Sequence, residues 1–169
     1  MSASRSALVL TTIVVVAAGC GADNDDEGAS SSGTVGPDEP RTCEPVNAEL
    51  ETIADQTVEI GASEFAFSDA VYEAAPGTIT FEVTNNGGEE HELAFLPGGG
   101  DVPYTDGKPD EAALEAAGAF ELEAFGPGRS CNATYEFAAG AYTLFCIVRT
   151  TDGENHYDKG MRATLTVAE

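Results

Sequence analysis

The segment Thr78-Ile79-Thr80-Phe81-Glu82-Val83-Thr84 alternates without a break, with Ile79, Phe81 and Val83 on one side and Thr80, Glu82 and Thr84 on the other. A period of two is that of a strand, and an apolar face opposite a polar one belongs to a sheet packed on a core through one side. Asn85-Asn86-Gly87-Gly88 then stops the strand with turn chemistry. The same signature recurs at residues 58–60, 65–67, 91–96, 132–137, 141–148 and 161–167, each bounded by Gly, Pro, Asn or Asp. Short strands at this spacing predict an all-β domain, an antiparallel Greek-key β-sandwich of about seven or eight strands, rather than a βαβ fold. Residues 110–117 form the one helical stretch, with acids in its first turn and Gly118 as a stop, and read as a short excursion between strands.

The N-terminus has a different grammar. Arg5 precedes an apolar run over residues 7–18, interrupted only by Thr11 and Thr12, and small residues lead to Cys20. This is the layout of a secretory signal peptide, and the run is shorter than the ~20 residues of a spanning helix. Val16-Ala17-Ala18-Gly19-Cys20 resembles a bacterial lipobox, in which the cysteine is lipidated and becomes the mature N-terminus, although Ala17 stands where Leu is usual. From Gly21 to Pro40 the chain is mostly Gly, Ser, Pro and acid with almost no large apolar residue, a composition that cannot bury enough surface to offset the entropy of ordering. The expected organisation is therefore a lipoprotein signal peptide over 1–19, a lipidated, flexible acidic tether over 20–42 and a folded domain over 43–169. It places the domain outside the cytoplasm, anchored to the cell membrane through lipid alone.

With 30 acidic and 7 basic residues the chain has a net charge of -23, which repels a phosphate backbone or an anionic bilayer. Nucleic-acid binding is excluded on this ground. Acids surround His91, at Glu89, Glu90 and Glu92, and extend over residues 101–123, where they would steer a partner carrying a basic patch. Neither a nucleophile dyad nor an oxyanion arrangement nor an obvious general base points to an enzyme.

The chemistry resides in a few scarce residues. The chain has two histidines, His91 and His156, and one methionine beyond the initiator, Met161. His91 is in phase with the apolar Leu93 and Phe95, Cys146 with Tyr142 and Leu144, and Met161 with Ala163, Leu165 and Val167, so that all three can point inward near one end of a sandwich. Two imidazoles, one thiolate and a weak thioether suit copper in both oxidation states. Here the sequence resembles the cupredoxin, or blue copper, family of plastocyanin- and azurin-like proteins. The resemblance covers about residues 57–168 and is carried by three stretches: residues 76–87 leading to His91, Gly140-Ala141-Tyr142-Thr143-Leu144-Phe145-Cys146, and His156 through Gly160-Met161. It implies one type 1 copper ion, with His91, Cys146 and His156 as equatorial ligands and Met161 as the axial one. It also implies electron transfer with a redox partner protein. Copper capture or delivery, and a metal-free domain acting as a binding module, are the alternative functions.

One departure from the family stands out. Nine residues lie between Cys146 and His156, more than in familiar blue copper loops, whereas the four between His156 and Met161 fit. Thr151-Asp152-Gly153-Glu154 is a turn signal that would fold the excess back as a small hairpin. A water or a carboxylate in place of His156 would turn the site towards binding or catalysis. The cysteines divide in keeping with this scheme: Cys20 for lipid, Cys43 and Cys131 as a disulfide, and Cys146 left as a thiolate that a metal would occupy.

Overall fold

The computed structural model describes residues 43–169; the expected signal peptide, the lipidation site Cys20 and the tether lie outside the described residues. In chain order the described elements are α1 (Ala48–Glu51), β1 (Gln56–Ser63), β2 (Ala66–Phe67), β3 (Val71–Ala74), β4 (Gly77–Asn85), β5 (His91–Pro97), β6 (Tyr104–Thr105), β7 (Lys108–Pro109), α2 (Glu111–Ala116), β8 (Phe120–Phe125), β9 (Ser130–Phe137), β10 (Gly140–Phe145) and β11 (Arg162–Val167). They build a β-sandwich. One sheet has the order β2-β1-β4-β9 and the other β3-β11-β10-β5-β8, while β6 and β7 form a separate hairpin.

β4 is the strand that the strict alternation demands, and Ile79, Phe81 and Val83 are buried between the sheets. They meet Leu93 and Phe95 of β5, Leu144 of β10 and Leu165 of β11 in one apolar cluster. Phe81, Phe95 and Phe137 interlock at its centre, with ring centroids 4.8 to 5.4 Å apart. Thr80, on the nominally polar side, is buried as well, and its hydroxyl is hydrogen-bonded to that of Thr134 at 2.9 Å. The segment entering the domain covers this side: Val46 N donates to Asn132 O, and Thr134 N donates to Val46 O. Cys43 and Cys131 are joined by a disulfide, with 4.8 Å between their Cα atoms.

The sheets are mixed rather than purely antiparallel. β1 runs parallel to β4 and β3 parallel to β11. The cause is the excursion through β2 and β3, which takes the chain from the first sheet to an edge of the second before β4 returns beside β1. β10 ends at Phe145, short of the expected residue 148, and beyond it Ile147 N donates to the side chain of Glu92 on β5 instead of to a strand backbone. α2 lies within the expected helical stretch, and the Asp110 carboxylate caps it by accepting from Ala113 N at 3.0 Å.

β5 is buried on both faces. Leu93 and Phe95 face the main core, whereas Ala94 and Leu96 face a second cluster with Val102, Leu114, Phe145 and Tyr157. The excursion between β5 and β8 thus roofs the outer face of the second sheet. Through Tyr157 it also touches the loop that follows Cys146.

Candidate metal centre

His91 is the first residue of β5, where β5 pairs with Phe125 of β8. The register slips between His91 and Leu93, a β-bulge of the kind that re-aims a side chain. The turn leading to His91 is pinned by Asn85, which is fully buried. Its side-chain amide donates to Glu89 O and Phe125 O and accepts from Gly87 N, all at 2.8 to 2.9 Å. Cys146 follows the end of β10, and its N–H donates to Met161 O at 3.3 Å.

His156 is placed by the long loop. Thr150 N donates to Glu154 O, and Arg149 forms an antiparallel bridge with Asn155, so the extra residues fold back as a small hairpin around Gly153. Gly153 has φ of +88°, a conformation that glycine adopts without strain. His156 N then donates to Val148 O, and Met161 N to His156 O, both at 2.9 Å. Side chains brace the loop from outside. The Tyr104 hydroxyl donates to Asp158 at 2.7 Å, and that of Tyr157 accepts from Val102 N and donates to Asp101, both at 3.3 Å.

These elements bring three donors together. His91 Nδ1 is 3.1 Å from His156 Nδ1, and Cys146 Sγ is 3.4 Å from His156 Nδ1. The ligand atoms of the three residues all lie within 4.8 Å of one another, and none of the residues has exposed surface. Met161 is also fully buried, in the apolar cluster that contains Cys146. All four residues singled out in the sequence thus sit at one end of the sandwich.

Solved structures share this architecture. A dithionite-reduced auracyanin from the photosynthetic bacterium Roseiflexus castenholzii matches with a TM-score of 0.52 and 25% identity, over 69% of this chain and 99% of that one. The domain has the cupredoxin fold. Auracyanin B matches the cupredoxin domain with a TM-score of 0.51 and 23% identity, over 69% of this chain and 91% of that one. Auracyanin A from Chloroflexus aurantiacus, described as a "blue" copper protein, gives 0.46 and 21% over 66% and 98%. No family model and no curated protein sequence matches the chain.

Burial sets the protonation of the cluster. It holds the pKa of His91 down at about 4, with the neighbouring His156 adding to the effect. It lowers that of His156 too, against the opposing pull of Glu89. Both imidazoles are therefore neutral near pH 7 and able to offer lone pairs. The Cys146 thiol is pushed up, first by burial and then by the nearby Glu92, so a thiolate there calls for a cation beside it. Two neutral imidazoles, a sulfur and a buried thioether form a donor set for a soft or borderline cation, which fits the metal implied by the cupredoxin resemblance.

Around the donors stand carboxylates that sequence reasoning missed or read only as surface charge. Glu89 Oε2 lies 3.1 Å from His156 Nε2, and Glu64 Oε1 lies 3.7 Å from His91 Nε2. Glu92 points to the opposite face of β5, where it accepts from Ile147 N at 2.5 Å and burial raises its pKa to about 7. No motif marks Glu64. It is separated from His91 by 26 intervening residues and is delivered by the turn between β1 and β2.

Proposed function

We propose that this cupredoxin domain holds one copper ion through His91, Cys146, His156 and Met161 and transfers electrons outside the cytoplasmic membrane, to which lipidated Cys20 anchors it. The observation that carries the reading is the convergence of the two Nδ1 atoms and the Cys146 sulfur in a site without solvent exposure. Bound there, copper supplies a one-electron couple between Cu(I) and Cu(II). The protein keeps the donors still. His91 is held by a sheet and by the Asn85 bonds, Cys146 and His156 by backbone bonds to Met161 and Val148, and the loop by Tyr104 and Tyr157. Fixed donors change little between redox states, which favours a carrier over a protein that releases its metal or an enzyme with an open site.

The redox partner docks through a basic patch at the acidic rim of the donor end. Glu64 and Glu89 are each about one-third exposed there and cover the outer edges of both histidines. The anchor and the carrier role are tested separately. Metabolic lipid labelling of the full chain should be lost in Cys20→Ser. Voltammetry of the copper-loaded chain should give a reversible one-electron wave; a chain that binds no copper, or that sheds it on reduction, would contradict the carrier reading.

A further inference from the structure

A neutral histidine that gives Nδ1 to a cation carries its proton on Nε2, and a buried N–H needs an acceptor. In this domain Nδ1 of each histidine points into the donor cluster, so each Nε2 looks outward. Behind each Nε2 stands a glutamate from a different part of the chain. Glu89, in the turn before β5, meets His156 Nε2 at hydrogen-bond distance, 3.1 Å. Glu64, in the turn between β1 and β2, is the acidic group beside His91 Nε2, which has no hydrogen-bond partner among the described residues.

Glu64 is not a loose surface side chain. The backbone N–H groups of Gly88 and Glu89 both donate to its Oε1, the latter at 2.8 Å. These bonds tie Glu64 to the very turn that supplies Glu89, so a single hydrogen-bonded unit sets both carboxylates. Gly87 leaves the room for it. A Cβ at that position would fall 2.8 Å from His91 Nε2 and 2.5 Å from Glu64 Oε1, too close for either to stay.

We propose that Glu64 and Glu89, through their negative charge, bias the site towards the more highly charged state of its metal, and that Glu89 is also a positioning residue that orients the His156 imidazole. The inference rests on the copper reading above. An anion a few ångströms behind a ligand stabilises a dication more than a monocation. Acids that only steer a partner would alter the salt dependence of association and leave the equilibrium between the two metal states alone.

The test uses the full chain loaded with copper and the variants Glu64→Gln, Glu89→Gln and the double variant, because glutamine keeps the shape and an acceptor oxygen while removing the charge. Glu136→Gln on β9 is the control, since residue 136 pairs with Thr78, at the end of β4 away from Asn85. Each site variant should lower the ratio of Cu(II) to Cu(I) affinity about tenfold, a rise in midpoint potential of about 59 mV, with a larger rise in the double variant and none in the control. An unchanged potential in the double variant, its copper still bound, would overturn the charge role. The orienting role is read without metal, by imidazole 15N resonances. Wild type should show His156 protonated on Nε2, and Glu89→Ala should shift it to a mixture of tautomers; an identical pattern in both would overturn that role even if the chain proved not to bind copper.

Discussion

The sulfur of Cys146 and Nδ1 of His156 lie 3.4 Å apart although nine residues separate the two in sequence. The hairpin at Gly153 and the bond from His156 N to Val148 O make that approach reproducible. His156 should therefore secure the metal. Copper-loaded wild type should keep its copper through repeated reduction and reoxidation with a Cu(I) chelator present, whereas His156→Ala should lose it more than about tenfold faster. Rapid loss from both alike would favour copper delivery over electron transfer.

The loop depends on its outer braces. Tyr157→Phe removes the hydroxyl that Val102 N, Asp101 and Arg162 share, and the buried Val102 N–H then lacks its partner. The expected cost is about 1–3 kcal/mol in denaturant unfolding, with faster amide exchange over residues 147–160. Unaltered exchange there would show that the excursion between β5 and β8 does not hold the loop.

The disulfide between Cys43 and Cys131 closes 88 positions and fastens the entering segment to β9. Replacing both cysteines with Ala should lower stability by about 3–4 kcal/mol, seen as a reduced denaturant midpoint. Peptide mapping without reductant should recover the Cys43–Cys131 pair. Recovery of Cys43 linked to Cys146 would contradict both the pairing and the metal centre.

Much of this was legible because strand periodicity and scarce residue types are local signals. The alternation from Ile79 to Val83 marks β4, and two histidines and one internal methionine single out the donor end. β8 was missed although Phe120-Glu121-Leu122-Glu123 alternates, because its acids read as a charge run and the bulge opposite His91 breaks the period before Phe125. The parallel pairing of β1 with β4 depends on a chain crossover, which no local pattern encodes. Glu64 stayed hidden for the same reason: its partners are backbone groups and a ring edge brought to it by the fold.

Alkaline pH offers a check on packing far from the donors. The Tyr135 hydroxyl donates to Glu121 O at 2.5 Å, and burial raises its pKa from 10.0 to about 12. A raised folded-state value favours the neutral phenol, so its contribution is fully present below pH 10 and is lost as pH climbs towards 12. Tyr135→Phe should be less stable than wild type by about 1 kcal/mol near neutrality, with the gap closing over that alkaline window. In an absorbance titration the substitution should remove a late-ionising tyrosine; removal of one that ionises normally would contradict the assignment.

Direct binding of copper by the Cys146 sulfur between His91 and His156 is the claim that the visible spectrum reads. Cu(II) added to the reoxidised full chain should give one intense thiolate charge-transfer band at a stoichiometry of one ion per chain, absent from Cys146→Ser. A weak, pale copper spectrum that the substitution leaves unchanged would contradict the claim.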